Sequence, residues 1–236
     1  MLSHVIDGYT MAKPLQPALD AEQFAFPLNG GATLRGYRGE VTEGTPLVLL
    51  HSINAVPSAM EMRPLFEYYR DKRAVWVPDL PGFGLSDRPA VHYTSGLYAR
   101  WLTEWLDSLG TPADVVALSL TGEFMARAIL EQGAKVRSLS LISPTGMGVR
   151  APPSAPNGSR IDRFLSSRWV GRPLFWLLTS KLSIRWFLGK AFVGATPEHM
   201  LRYALETANQ PGAHYVPLKF LTFSLFTEQA ITRLYS

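Results

Sequence analysis

Four short apolar runs in the first 144 residues constrain the fold more than any other feature of this sequence. They read TPLVLLHS, RAVWVPDL, ADVVALS and VRSLSLISP. Such continuous runs are typical of strands buried on both faces of a sheet. Segments with apolar residues at helical spacing separate them, the clearest being TSGLYARWLTEWLDSLG and LTGEFMARAILEQG. This alternation predicts an α/β fold, a mostly parallel sheet with helices on both faces.

The two ends of the chain depart from this alternation. Residues 1–22 form an N-terminal arm, and alternating runs on either side of Asn29-Gly30 predict a β-hairpin. TGMGVRAPPSAPNGS has the composition of a linker, and only helical periodicity follows it. We therefore expect a core over residues 23–144 and a helical lid over residues 145–236. The lid helices are predicted at roughly 161–168, 172–189, 197–208 and 213–234.

The lid segment is rich in aromatic residues. Because an amphipathic helix has to bury its apolar stripe, we expect most of these side chains to pack in the core. They are Trp169, Phe175, Trp176, Trp186 and Phe187. Cations interrupt the most apolar stretch and Pro173 breaks it, so no transmembrane helix is predicted.

Composition and charge exclude several classes of protein. The 236 residues include no cysteine, which rules out disulfides and cysteine-based metal sites and fits a cytoplasmic location. The start of the chain lacks the pattern of a signal peptide. Residues 1–144 carry 12 Lys and Arg against 15 Asp and Glu (−3), and residues 145–236 carry 11 against 4 (+7), which reproduces the net charge of +4. The acidic sheet half argues against nucleic-acid binding.

The loops at the carboxyl ends of parallel strands are where such sheets carry chemistry. Three of these loops are informative here, LLHSINAVPS, PDLPGFGLSDRP and ALSLTG. In this order they resemble the α/β-hydrolase superfamily, in particular members with a lid and a serine nucleophile. The second loop fits the pattern Asp-x-Pro-Gly-x-Gly-x-Ser-x-x-Pro, with Asp79, Gly82 and Gly84 as its first acid and its two glycines. The third resembles a nucleophile elbow, although Ala117 and Thr121 stand where glycines are usual.

The resemblance implies roles for individual residues. Ser119 would be the nucleophile, on a sharp turn between a strand and a helix. The backbone N–H groups of Ile53 and Leu120 would form the oxyanion hole. A site of this kind needs no metal and no cofactor.

The first loop and the elbow helix hold further polar residues. A structural role is expected for His51, and Ser52 replaces the glycine that the family has at this position. Asn54 either adds a side-chain donor to the oxyanion hole or is a turn residue that caps the helix that follows. Glu123, in the first turn of the elbow helix, is interpreted as a complement to the helix dipole.

A serine hydroxyl is a weak nucleophile without a base. In the superfamily the catalytic acid and His follow the lid, on loops after two further strands. No strand pattern follows residue 145 in this sequence. Of the five histidines, only His214 could reach the site from the lid, while His4, His92 and His199 lie in a tail, a loop and a helix start. We therefore expect an incomplete triad, as in a chain that lacks the last strands of the family fold.

Three functions are compatible with these observations. The first is a serine hydrolase of small apolar esters or related acyl compounds. Such a chain alone would be weakly active or inactive, since its triad is incomplete. Dehalogenase or epoxide hydrolase activity is disfavoured because a serine stands where those enzymes use an aspartate. The second is a non-catalytic ligand-binding protein, and the third is a protein whose basic, aromatic lid docks on a partner or peripherally on a membrane. A solvated cationic face is the simpler interpretation of that charge.

The strand VRSLSLISP raises a question of association. Without further strands it would be an edge, and apolar edges are templates for pairing with another chain. Arg137 is the only nearby charge that could discourage such pairing. We expect the isolated chain to be unstable, aggregated or rescued by self-association along residues 137–143.

Overall fold

The computed structural model describes residues 14–147, 160, 164, 167–191 and 194–236. Most of the predicted arm, most of the predicted linker and most of the predicted helix at 161–168 lie outside these residues.

A six-stranded mixed sheet forms the centre of the molecule. Its order is β1-β2-β4-β3-β5-β6. The hairpin strands β1 and β2 and the β2–β4 pair are antiparallel, whereas β4, β3, β5 and β6 run parallel. This topology confirms the predicted α/β fold with an N-terminal hairpin. The strands are β1 (Glu22–Pro27), β2 (Thr33–Arg38), β3 (Leu47–Leu50), β4 (Val75–Asp79), β5 (Ala113–Leu118) and β6 (Val136–Ile142).

Helices cover both faces of the sheet. On one face α2 (Ser95–Ser108) and α3 (Thr121–Gln132) pack against each other, and their buried side chains form the larger core cluster. A 3₁₀ turn leads into α1 (Arg63–Tyr69) on the other face, which holds a second cluster. Pro64 lies in the first turn of α1, where its missing N–H leaves no helical hydrogen bond unmade.

The described part of residues 145–236 is helical, but it is divided more finely than the periodicity predicts. The predicted helix at 172–189 is two helices, separated at Thr179 and Ser180. The Ser180 hydroxyl accepts a hydrogen bond from the N–H of Ser183 (3.3 Å) and so begins a new helix. The helices are α4 (Arg168–Leu178), α5 (Lys181–Ala191), α6 (Glu198–Ala208), α7 (Tyr215–Leu221) and α8 (Ala230–Leu234).

Two further features of residues 145–236 differ from the sequence-based expectations. Helix α4 begins at Arg168 instead of at residue 172, and it contains Pro173 in its interior. The predicted helix at 213–234 is interrupted between α7 and α8, where Phe223 (φ 57°) and Gln229 (φ 54°) adopt left-handed conformations. Left-handed residues cannot continue a right-handed helix, and neither Phe nor Gln signals this conformation in a sequence.

The expectation that the lid aromatics pack in the core is wrong for four of the five. Phe175 is buried, in a cluster with Ala213 and Leu218. The others are more than half exposed: Trp169, Trp176, Trp186 and Phe187.

Strand β6 lies at the edge of the sheet within the described residues. A cavity of about 360 Å³ opens between β6 and α1, lined by Val116, Ser140 and Ile142 among others. Arg137 does not extend across the edge, because its Nε donates to Asp114 Oδ1 on β5 (2.8 Å). Self-association along residues 137–143 stays a prediction.

Candidate active site

Ser119 lies on a sharp turn between β5 and α3. Its φ is 60°, a left-handed conformation that costs a non-glycine residue about 1–2 kcal/mol. Two backbone hydrogen bonds hold it there. The N–H of Ser119 donates to the carbonyl of Ile142 on β6 (2.9 Å), and its own carbonyl accepts from the N–H of Gly122 (3.1 Å). A strained, half-buried serine at a strand–helix junction has the geometry of a nucleophile elbow.

Small residues around the turn permit this close approach of strand and helix. Ala117 is fully buried, and it pairs with Leu50 on β3. A Cβ on Gly122 would lie 2.9 Å from a methyl carbon of Leu141, so this position tolerates no larger residue without movement. Thr121 fits at this position because its hydroxyl makes a hydrogen bond, donating to the backbone carbonyl of His51 (2.6 Å).

That hydrogen bond joins the elbow to the first loop, where the second expected oxyanion donor lies. Leu50 of β3 pairs with Ala117 of the parallel strand β5. Ile53 and Leu120 each lie three residues beyond this pair, so both follow the same edge of the sheet. Within the described residues, no hydrogen bond occupies the N–H of Ile53 or of Leu120. The role of these two N–H groups as an oxyanion hole stays a prediction.

A carboxylate that the sequence analysis missed organises the first loop. Glu61 accepts hydrogen bonds from the N–H and the hydroxyl of Ser52 (2.8 and 3.0 Å) and from the side-chain amide of Asn54 (2.9 Å). The carbonyl of the same amide accepts from the N–H of Val56 (2.8 Å). The Asn54 side chain is thus used within its own loop, and it does not cap the 3₁₀ turn that follows, whose cap is Ser58. The sequence could have drawn attention to Glu61, because Ser58-x-x-Glu61 is a pattern that marks the start of a helix.

His51 joins the first loop to the second. It is fully buried, and its Nε2 accepts from the N–H of Leu80 (2.9 Å), so Nδ1 carries the proton donated to the carbonyl of Ser52 (2.7 Å). Burial lowers the pKa of His51 to about 4. Both ring nitrogens are occupied, and the ring is neutral at physiological pH.

The second loop is built around the buried carboxylate of Asp79. Oδ1 accepts from the N–H of Ala59 (2.7 Å) and Oδ2 from the N–H of Leu85 (2.9 Å). Gly84 packs directly on this carboxylate, and Gly82 (φ 100°) allows Val216 of α7 to approach its Cα. Both glycines of the pattern are thus closely packed, Gly84 against the Asp79 carboxylate and Gly82 against Val216.

Burial raises the pKa of Asp79 to about 6, although the two N–H donors and Arg88 oppose this shift. The unfolded chain has a pKa of about 3.9 at this residue. Between these values the folded state binds more protons than the unfolded state, so the Asp79 contribution to the free energy of unfolding falls as pH rises. Two pKa units correspond to about 3 kcal/mol.

Replacement of Asp79 by Asn is expected to remove this pH dependence. The amide has one acceptor fewer than the carboxylate, which lowers the free energy of unfolding by a constant amount at every pH. The difference in the free energy of unfolding between Asp79→Asn and the unchanged protein should change by about 3 kcal/mol between pH 4 and pH 7. Urea unfolding across that range measures it. Asp71→Asn, at an exposed position, is the matched control. If the difference in the free energy of unfolding between Asp79→Asn and the unchanged protein stays constant across the range, the pKa of Asp79 is not raised by burial.

No described histidine forms a hydrogen bond with Ser119. The ring of His214 lies against Tyr215 (4.4 Å between ring centroids) and Phe175 (6.2 Å), and burial lowers its pKa. His92 and His199 are exposed, and His199 lines a cavity of about 580 Å³ between the N-terminal arm, α1 and α6. His4 lies outside the described residues.

Glu123 does more than complement the helix dipole. It is fully buried in the first turn of α3 and accepts hydrogen bonds from the hydroxyl of Thr145 and from the N–H of Thr227 (2.7 Å). Burial raises its pKa. The carboxylate directly behind the elbow thus anchors two distant points of residues 145–236.

Comparisons with known proteins agree with this architecture. Similar solved structures include Cfl2 from Burkholderia cenocepacia (TM-score 0.67, 20% identity, covering 86% of this chain and 70% of that chain). The haloalkane dehalogenase DatA from Agrobacterium tumefaciens C58 (0.65, 18%, 93% and 77%) and a probable hydrolytic enzyme from Pseudomonas aeruginosa PAO1 (0.61, 18%, 94% and 72%) are also similar. At these identities the likeness shows the fold alone.

A search of curated proteins finds no significant match. The described residues include no helix long and apolar enough to cross a membrane. The family model described as the alpha/beta hydrolase family matches residues 47–234, which is most of the chain. The protein belongs to the α/β-hydrolase family.

Proposed function

We propose that the protein is a serine hydrolase that accepts the acyl group of a small apolar ester on Ser119. The left-handed turn of Ser119 between β5 and α3 supports this most directly. Ile53 follows the end of β3, and Leu120 follows the end of β5. Among the described residues, no hydrogen bond occupies the N–H of either residue. The side chains of Ile53 and Leu120, which follow the two strand ends, are buried and apolar, and this favours an apolar substrate.

In this proposal the Ser119 Oγ attacks the carbonyl carbon of the ester. The carbonyl oxygen becomes an oxyanion that the N–H groups of Ile53 and Leu120 stabilise. Collapse of this intermediate breaks the bond to the leaving alkoxide and leaves an acyl group on Ser119. The serine proton passes to a base or to solvent, and water then hydrolyses the acyl-enzyme.

The chemistry of serine argues for esters over haloalkanes, although haloalkane dehalogenases are among the structural neighbours. Attack of Ser119 on a haloalkane would produce an ether. An ether has no carbonyl for water to attack, so the enzyme would not be regenerated. Attack on an ester produces a second ester, which water can cleave.

Acylation of Ser119 tests the proposal directly. Incubation with p-nitrophenyl butyrate is expected to add one butyryl group to the peptide that contains Ser119, because p-nitrophenolate leaves without needing a proton. Mass spectrometry of the digested protein identifies the modified residue. Ser119→Ala should abolish the modification. Ser143→Ala is the matched control and should retain it, because Ser143 also has a left-handed φ (45°) at the end of a strand.

A second candidate function is a ligand-binding protein in which the residues around Ser119 bind a ligand without reacting with it. The absence of a hydrogen bond from any described histidine to Ser119 favours it. If Ser119 stays unmodified by p-nitrophenyl butyrate while the chain binds butyrate esters in a calorimeter, this second function replaces the first.

A further inference from the structure

Helix α4 exposes an apolar stripe and buries a narrower one. The exposed positions recur at helical spacing and include Trp169 (86% exposed), Trp176 (75%) and Leu177 (69%). On the opposite side Phe175 is buried against Ala213 and Leu218 of the lid. The helix is therefore already anchored by its inner side, and its outward apolar residues do not contribute to the core.

Helix α5 continues this surface. Leu182 (82% exposed), Trp186 (58%) and Phe187 (53%) point outward, whereas Ile184 is buried against Leu201 and Ala204 of α6. The two helices are consecutive and contact each other. We call the exposed side chains of these two adjoining helices the α4–α5 surface. Exposed large apolar side chains that cluster on adjoining elements mark interaction sites.

The charge on these two helices has a single sign. Residues 168–191 contain five Lys and Arg and no Asp or Glu. Lys190 Nζ lies 4.6 Å from the ring centroid of Trp186, and Arg185 pairs with Glu198 of α6 (2.7 Å). In the part of the chain that the structure describes, Arg172 and Lys181 form no ion pair.

We propose that the α4–α5 surface docks on an anionic lipid bilayer, with both helices lying in the plane of the interface. Two observations support a bilayer. Tryptophan side chains favour the boundary between headgroups and acyl chains. Cations without acids among them complement anionic headgroups. This inference goes beyond the proposed function and does not depend on Ser119.

Flotation with lipid vesicles tests the docking surface on the full chain. We expect the chain to float with phosphatidylcholine vesicles that contain phosphatidylglycerol and at least tenfold less with phosphatidylcholine alone. Binding should weaken as the salt concentration rises, because exposed charges are screened. The catalytic proposal can fail without affecting this result, since the assay reads binding alone.

Two sets of variants separate the apolar and the electrostatic contributions. The triple variant Trp169→Ser/Trp176→Ser/Trp186→Ser is expected to lose at least tenfold in vesicle binding, and Arg172→Gln/Lys181→Gln to lose the preference for phosphatidylglycerol. All five side chains are exposed, so the fold should be retained, and circular dichroism checks this. The matched controls are Leu130→Ser and Arg100→Gln, exposed positions on α3 and α2 that should bind vesicles normally.

Either of two results would overturn the proposal. One is vesicle binding that neither set of variants changes. The other is a chain that ignores vesicles but forms dimers in sedimentation velocity, with the triple tryptophan variant monomeric. That result would make the α4–α5 surface an interface between two copies of the chain.

Discussion

Hydrolysis of p-nitrophenyl butyrate by the 236-residue chain is expected to stay below about 1 s⁻¹, the low end for ordinary enzymes. The physical reason is that no described histidine forms a hydrogen bond with Ser119 through which it could accept the serine proton. His51 has both ring nitrogens occupied and a pKa lowered by burial to about 4. His214 lies against Tyr215 and Phe175. Ser119 therefore has no described base to take its proton.

The expected size of this effect comes from triads in which the base has been removed. Loss of the histidine costs about 10⁶ in kcat, or roughly 8 kcal/mol of barrier. The oxyanion hole and substrate binding still leave about 10³–10⁴ over the uncatalysed reaction. A slow rate that depends on Ser119 is therefore the expected result, with the acyl-enzyme accumulating because its hydrolysis also needs a base.

Steady-state turnover beside Ser119→Ala measures the rate, and added imidazole tests its cause. Free imidazole should accelerate the Ser119-dependent rate by supplying the missing base, while the alanine variant reports the background reaction of imidazole with the ester. Turnover above about 1 s⁻¹ that disappears in Ser119→Ala, without any response to imidazole, would show that a base acts on this serine.

The sheet could be predicted from the sequence because its central strands β3, β4 and β5 are local apolar runs that are mostly buried. The edge strand β6 is an apolar run too, but most of its side chains are exposed or only partly buried. The elbow could be predicted for a related reason. A strained serine needs small neighbours, and Ala117 and Gly122 are visible in the sequence. The use of the Thr121 hydroxyl could not be predicted, because its acceptor is the carbonyl of His51, 70 residues away. Contacts of this range depend on the assembled sheet.

The helices of residues 145–236 could be predicted less completely. They have clear periodicity, yet periodicity does not say which stripe faces the core. The apolar stripe of α4 was expected inside, but Phe175 alone anchors the inner side while Trp169 and Trp176 face outward. Glu61 and Glu123 illustrate a similar limit. A helix-start acid is usually exposed near the helix dipole, and only the fold brings Thr145 and Thr227 to Glu123.

Gly84→Ala is expected to lower the free energy of unfolding by about 4 kcal/mol or more. A Cβ at this position would lie 1.9 Å from the carboxyl carbon of Asp79 and 2.1 and 2.2 Å from its oxygens. The carboxylate has no freedom to move, because the N–H groups of Ala59 and Leu85 hold both oxygens. Gly84 itself has φ 47°, so the alanine also bears backbone strain of about 1–2 kcal/mol.

Gly44→Ala separates the steric clash from the backbone strain. Gly44 also has a positive φ (87°), but no atom lies within 4 Å of the position that an alanine methyl would take there. Gly44→Ala should therefore be destabilised only by backbone strain, about 1–2 kcal/mol. Gly84→Ala should be destabilised by the same strain, by overpacking of about 1–3 kcal/mol and by the loss of the hydrogen bonds of the displaced carboxylate. Urea unfolding of both variants measures the difference.

A double-mutant cycle identifies the atom responsible for the clash. Asp79→Ala removes the carboxylate but leaves the N–H groups of Ala59 and Leu85 without their acceptor, so it is destabilising by itself. Added to Gly84→Ala, it also removes the atoms that the new methyl meets. The double variant should therefore be more stable than the sum of the two single losses, by the overpacking part of about 1–3 kcal/mol. Additive losses would mean that Gly84 is required for its backbone conformation alone, and that the Asp79 carboxylate does not pack against it in solution.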